Sequence, residues 1–237
     1  MDKDLKDIDV LILTGGKGTR LRSVVNDRPK TMAEIGQVPF LDIILGSLVK
    51  QGFKRFILCT GYIGKYIQDY YSKKFTDYEI SISHEKMPLG TSGAIRNAKK
   101  FIKSDIFFAL NGDSYCSVDY NEVLKCHLRN EAMLTMVVVK SSCCEEYGNI
   151  KITDSNRIKS FREKVFEYEE SLINTGIYCF DKCVFDIMRE GKTPYSLETD
   201  FFPSILNYRC FAFISESMLY DIGTPVGLRK FRKLGIP

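Results

Sequence analysis

The chain predicts an α/β fold built on a mixed, mainly parallel central sheet flanked by helices. Three observations carry this. Short apolar runs alternate with segments of helical apolar spacing as far as Val139, which is the pattern of βαβ units. The first of these runs, Val10-Leu11-Ile12-Leu13, feeds directly into a glycine-rich cationic turn. After Val139 the apolar runs pair through turn residues instead of alternating with helices, so a smaller β-rich portion follows.

Ile8–Leu13 reads as the first strand. Phe40–Lys50 has helical apolar spacing and stops at Gly52. Phe53–Thr60 is a second strand, Tyr62–Tyr71 a helix with an aromatic face, and Glu79–Ser83 a short third strand. A loop with Pro88 and Gly90 leads into a helix from about Ser92. Asp105–Leu110 is a fourth strand, broken by Asn111-Gly112-Asp113; Asp119 caps a helix to about Arg129, and Met133–Val139 is a strongly apolar strand. Then Asn149–Thr153 and Ile158–Glu163 flank Asp154-Ser155-Asn156 as a hairpin. Leu172–Phe180 is a long strand, with helices expected near Val184–Arg189 and over Leu197–Asn207. Arg209–Ile214 and Met218–Ile222 are short strands, and Pro225–Leu234 is a terminal helix with proline at its start.

Bulk properties narrow the function. The 237 residues suit one α/β domain, and the 44% hydrophobic and 27% charged content is that of a globular protein. A net charge of +4 without a long Lys/Arg block, together with the absence of Trp, argues against nucleic acid and suits small anionic substrates. The charged start and the short apolar run after it predict no signal peptide, no membrane helix and a cytoplasmic location. Eight cysteines form no CxxC pair, so reduced thiols are expected rather than disulfides or zinc.

The turn after the first strand is where a phosphate can be held. Gly15, Gly16 and Gly18 let backbone N–H groups approach an anion, with Thr19 beside them. Lys17, Arg20, Arg22 and Lys30 carry positive charge, and Pro29 stiffens the approach to Lys30. It is not a dinucleotide fingerprint, because Leu21 stands where the third glycine belongs. Nor is Gly191-Lys192-Thr193 a Walker A loop, since Asp186 occupies the place of its opening glycine.

The stretch LTGGKGTRLR…PK resembles the signature of the sugar-1-phosphate nucleotidylyltransferases. Further motifs follow in that family's order: Pro88-Leu89-Gly90-Thr91-Ser92-Gly93-Ala94, Leu110-Asn111-Gly112-Asp113, Tyr147-Gly148, Phe161-Arg162-Glu163-Lys164, Asn174-Thr175-Gly176-Ile177-Tyr178 and Asp221-Ile222-Gly223-Thr224-Pro225. Thr14, Thr31 and Thr175 depart from the pattern, and the Thr14 hydroxyl could alter the fit around a nucleotide. The resemblance implies a Rossmann-like, GT-A-like fold over residues 1–237. A nucleotide-binding half would run to about residue 140. From about residue 141 a small sugar-binding β portion would follow, which also supplies a metal-binding aspartate.

It implies nucleotidyl transfer from an NTP to a sugar 1-phosphate, giving NDP-sugar and pyrophosphate. Arg20 and Lys30 would be catalytic. Leu13, Gly15, Gly16, Gly18, Thr19, Glu85, Leu89, Gly90 and Thr91 would bind the nucleotide, with Glu85 accepting from guanine N1–H and N2–H₂. Gly148, Glu163, Lys164 and Asn174 would bind the sugar phosphate. Asp113 and Asp221 would hold Mg²⁺. Segments such as VVNDRPKTMAEI and HEKMPLGTSGAI most resemble the heptose 1-phosphate guanylyltransferases of the family, so GTP and a heptose 1-phosphate are the favoured partners. Another guanylyl-, thymidylyl- or cytidylyltransferase acting on a hexose 1-phosphate is the alternative. A catalytically silent nucleotide-sugar-binding regulator is a different class, disfavoured because Arg20, Lys30, Asp113 and Asp221 are all present. The chain runs out soon after its last helix, so a compact member without a long C-terminal extension is expected, and a homo-oligomer is compatible with it.

Overall fold

The computed structural model describes residues 3–16, 18–141, 147–163, 171–191 and 193–235. In chain order the elements are β1 (Asp9–Leu13), β2 (Glu34–Ile35), β3 (Val38–Pro39), α1 (Phe40–Lys50), β4 (Arg55–Thr60), α2 (Gly64–Ser72), β5 (Glu79–His84), α3 (Gly90–Asn97), β6 (Ile106–Asn111) and β7 (Ser114–Cys116). There follow α4 (Tyr120–Arg129), β8 (Leu134–Ser141), β9 (Gly148–Ile152), β10 (Ile158–Glu163), β11 (Ser171–Asp181), α5 (Phe202–Ile205), β12 (Cys210–Ser215), β13 (Leu219–Asp221) and α6 (Pro225–Arg232).

The central sheet runs β5-β4-β1-β6-β11-β8-β12. Its first four strands are mutually parallel. β11 is antiparallel to both β6 and β8, and β12 is parallel to β8. The β9–β10 hairpin attaches to the first residues of β11 at Leu172↔Ile150 and Ile173↔Asn149. This is the mixed, mainly parallel sheet with helices on both faces that the sequence predicts.

Period-two alternation explains why the parallel strands are apolar throughout. Val10, Ile12, Phe56, Leu58, Phe108 and Leu110 pack into one core layer with α1, α4 and α6. Leu11, Ile57, Phe107, Ala109 and Phe180 pack into the other, with α3 and α5. The final helix is seated on the first: the Phe231 and Phe40 rings meet edge to face at 5.0 Å.

Of the two helices expected late in the chain, one is not formed and the other forms with a widened first turn. Near 184–189 there is only a 3-10 turn, Lys182–Asp186, capped by the Asp181 carboxylate. The Phe185 and Met188 carbonyls accept instead from the Arg96 guanidinium, which withdraws them from a helical ladder. Over 197–207 a wide π-type turn, Leu197–Phe201, precedes the short α5. Pro203 has no N–H to give to a carbonyl four residues back, and Phe201 N donates five residues back to Ser196.

Candidate active site

In-register parallel pairing sets Leu13 beside Cys59 of β4 and Asn111 of β6, and Thr60 beside His84 of β5. The carboxyl ends of four strands therefore open into one space, as open α/β sheets do at their ligand sites. A cavity of about 750 Å³ lies there, lined among others by Leu13, Gly15, Gly16, Lys30, Glu85, Gly90, Thr91, Asn111 and Asp113. Residues far apart in the chain meet in it because their strands are neighbours.

The phosphate loop is shaped by its glycines. Gly18 sits at φ +60 and opens a 3-10 turn, Thr19–Leu21, that presents Arg20 to solvent. Lys30 begins a second 3-10 turn behind Pro29, and its stem lies against Gly18 and Gly16. Lys17 lies outside the described residues. The Thr14 hydroxyl is turned away from the cavity: it is buried and donates to Cys59 O at 2.8 Å. It ties β1 to β4, whose Leu13 and Cys59 line the cavity.

The two aspartates come together through a device not visible in the sequence, the antiparallel β7–β13 ribbon. Ser114 pairs with Asp221, and Ile222 N donates to Asp113 O at 2.9 Å. Gly112 N reaches Leu13 O at 3.0 Å, which fixes the ribbon to the end of β1. Gly223 lies among the charges: a Cβ there would stand 2.8 Å from Asp221 Oδ1, 3.3 Å from Asp113 Oδ2 and 3.4 Å from an Arg20 guanidinium nitrogen. Lys30 Nζ donates to Asp113 Oδ2. Burial, with Asp113 beside it, raises the Asp221 carboxyl above its ordinary range. No cluster of three or more metal-ligating side chains occurs among the described residues. Two adjacent carboxylates that repel each other are nevertheless a hard oxygen donor set, and Mg²⁺ fits them if phosphate oxygens and water complete its shell.

The opposite wall belongs to Glu85. Its backbone N–H donates to Thr60 O at 2.8 Å, and its carboxylate accepts from Leu89 N at 3.3 Å. Burial raises this carboxyl as well. Gly61 leaves room for the Glu85 carboxylate, since a Cβ there would fall 2.5 Å from Oε1 and displace the side chain. Sequence reasoning missed Gly61 and Tyr62, which line the cavity; the Tyr62 ring carries the Arg22 guanidinium 4.9 Å from its centroid. Their place just after the second strand was the available signal. His84 ends β5 and lines the cavity with Nδ1 3.2 Å from Thr60 Oγ1.

The sugar-phosphate set is only partly described. Lys164 lies outside the described residues. Gly148 starts β9 opposite Glu163, the last residue of β10. The Asn174 amide is engaged on both sides, accepting from Gly176 N at 2.9 Å and donating to Tyr178 OH at 2.7 Å. Gly176, at φ +79, abuts Asn111, so this segment adjoins the cavity without lining it. The Thr91 hydroxyl is likewise taken by the protein, donating to Glu198 and accepting from Leu197 N.

Comparison with known proteins agrees with this geometry. Residues 9–233 match the family described as Nucleotidyl transferase. The D-glycero-alpha-D-manno-heptose 1-phosphate guanylyltransferase of Aneurinibacillus thermoaerophilus is 36% identical over 227 residues, 95% of this chain and 97% of that protein. The protein of the same name from Campylobacter jejuni is 36% identical over 219 residues, 92% and 96% of the two chains. The crystal structure of HddC from Yersinia pseudotuberculosis superposes with a TM-score of 0.86 at 34% identity, covering 96% of this chain and 99% of that one; a second HddC structure is a complex with GMP-PN. With a match over nearly its whole length and a phosphate loop facing a carboxylate pair, this chain belongs to the nucleotidyl transferase family.

Proposed function

We propose that this protein transfers the guanylyl group of GTP to D-glycero-α-D-manno-heptose 1-phosphate, releasing pyrophosphate. The observation that carries this reading is the meeting of Lys30, Asp113 and Glu85 in one cavity at the carboxyl ends of the parallel strands. The curated relatives named for this reaction align over nearly the full chain. A sugar-phosphate oxygen attacks the α-phosphorus in line and pyrophosphate leaves. Little covalent work falls to the protein, whose task is positioning and charge neutralisation.

Gly15, Gly16, Gly18 and Thr19 offer backbone N–H groups to the triphosphate. Arg20 neutralises charge with a planar guanidinium. Lys30 exchanges its contact with Asp113 for the phosphates. Leu13, Leu89, Gly90 and Thr91 enclose the base, and Glu85 accepts from guanine N1–H and N2–H₂, a pattern adenine and the pyrimidines do not present. Gly148, Glu163 and Lys164 receive the sugar phosphate in the half that begins near residue 141, with Asn174 holding the adjoining bend of β11 in shape. Asp113 and Asp221 would hold Mg²⁺, which supplies charge neutralisation on the phosphate oxygens.

The test is pyrophosphate release with four NTPs against heptose, mannose and glucose 1-phosphates. GTP with the heptose phosphate should give the highest kcat/KM. A higher value with a hexose phosphate would reassign the acceptor, and no turnover with any pair would leave a silent binding protein. Glu85→Gln should narrow the preference for GTP over ATP by about tenfold or more, because one acceptor of the guanine edge is lost. An unchanged ratio would remove Glu85 from base selection.

A further inference from the structure

We infer that Glu198 is a positioning residue for the nucleotide pocket, acting through Thr91 and the loop that carries it; this rests on the reading of Gly90 and Thr91 as part of the nucleotide wall. Leu89 to Gly93 form the entry to α3 and face the cavity through Gly90 and Thr91. What holds them in place comes from a segment far along the chain. Tyr195 N donates to Leu89 O at 2.8 Å, and Ser92 N and Gly93 N donate to Tyr195 O at 3.0 and 3.2 Å. Gly90, at φ +76, lies so close to this segment that a Cβ would stand 2.5 Å from Tyr195 O. The side-chain bond of the contact is Thr91 to Glu198: Oγ1 donates to Oε2 at 3.0 Å while accepting from Leu197 N at 2.7 Å.

The surroundings of Glu198 are those of a working contact rather than a solvated surface charge. It is half-buried. The same oxygen accepts a second hydroxyl, Ser196 Oγ, at 2.8 Å. No Lys or Arg among the described residues forms an ion pair with it. Its charge stands beside the first turn of α3, where the helix field favours an anion. Glu198 is also part of the wide π-type turn, a geometry that recurs at functional sites. From Leu89 the bonding continues to the base-reading position, since Leu89 N donates to Glu85 Oε2. Glu198, Thr91, the loop backbone and Glu85 are therefore one connected network. Arg20, Lys30, Asp113 and Asp221 are carried by other elements. Loosening the loop should weaken nucleotide binding and leave chemistry at phosphorus alone.

The experiment compares wild type, Glu198→Ala, Glu198→Gln, Thr91→Val and the double variant Glu198→Ala/Thr91→Val. GTP is titrated kinetically at saturating heptose 1-phosphate and by calorimetry without acceptor. Loss of a hydrogen bond to a charged group should raise KM and Kd for GTP about tenfold in Glu198→Ala. Because only binding is affected, kcat should stay within about twofold. Glu198→Gln keeps an oxygen for the Thr91 hydroxyl and should return KM to within about threefold of wild type. Thr91→Val, which also leaves Leu197 N without its acceptor, should raise the KM for GTP at least as far as Glu198→Ala, and the double variant should be no worse than Thr91→Val alone, the mark of a shared interaction. An unchanged GTP KM in Glu198→Ala overturns the inference. So does a fall in kcat alone, as a lost folded fraction would give, or additivity in the double variant. If wild type itself does not bind GTP, the nucleotide reading of the pocket falls; if wild type binds and the variants do not differ from it, only the role of Glu198 falls.

Discussion

Arg20 is exposed, yet its guanidinium stands within the cluster formed by Asp113 and Asp221 around Gly223. Exposed charge contributes little to stability, so Arg20→Ala should leave the thermal midpoint unchanged while lowering kcat by roughly a hundredfold or more. Near-normal turnover would remove Arg20 from the chemistry. His127 is the opposite case, a buried side chain away from the cavity lining. Its Nδ1 meets Thr135 Oγ1 at 3.0 Å, its Nε2 has no partner, and burial holds its pKa down at about 4. The unfolded chain binds this proton near pH 6.5 and the folded chain only near 4, so stability present above pH 6.5 is lost as the pH falls through that window. Between pH 7 and 4.5 the loss due to His127 should be about 2–3 kcal/mol. Urea midpoints of wild type and His127→Gln at the two pH values check this, the variant being the flatter of the two.

The connections that matter are short ones between strand ends. β7 has three residues, too few for periodicity to reveal, and its pairing with β13, inside the strand expected at Met218–Ile222, brings Asp113 and Asp221 together. The entry to α3 depends on another contact, between Gly90 and the Tyr195 backbone. Gly90→Ala puts a Cβ into left-handed backbone and against main-chain atoms that cannot rotate away. It should cost about 1–3 kcal/mol and raise the KM for GTP, where the same change at Gly46, which has open space around it, should not alter nucleotide binding. Equal GTP binding in the two variants would show that the loop tolerates the shift.

The whole molecule decides whether Asp113 and Asp221 can share an ion, because they belong to distant segments and only the central sheet and the β7–β13 ribbon unite them. That union has an energetic cost. Burial raises the Asp221 carboxyl in the folded state, so stability declines as the pH rises above the unfolded value, 3.8, toward the folded one, and ionising Asp221 costs stability at neutral pH without metal. Asp221→Asn should therefore raise the thermal midpoint of the metal-free protein at pH 7. Mg²⁺ should stabilise wild type by mass action and leave the variant unmoved. A midpoint lowered by the substitution, or an equal Mg²⁺ response, would refute the assignment.

Much was legible in the chain by itself. Strand and helix order, the Phe40–Lys50 helix, the Asp119 cap and the phosphate loop follow from apolar period, capping and turn chemistry, all of which act over a few neighbouring residues. The motifs Leu110–Asp113 and Asp221–Pro225 drew attention to two aspartates that the fold places near each other. What only the tertiary structure decided depends on contacts between remote segments. It widened the first turn of the helix expected at 197–207 and bonded the Thr14 hydroxyl to Cys59. It brought Gly61 and Tyr62 into the cavity, seated Lys30 on Asp113 and set Glu198 against Thr91. Sheet register and backbone hydrogen bonds across the fold choose these partners, and no local pattern of residues encodes them.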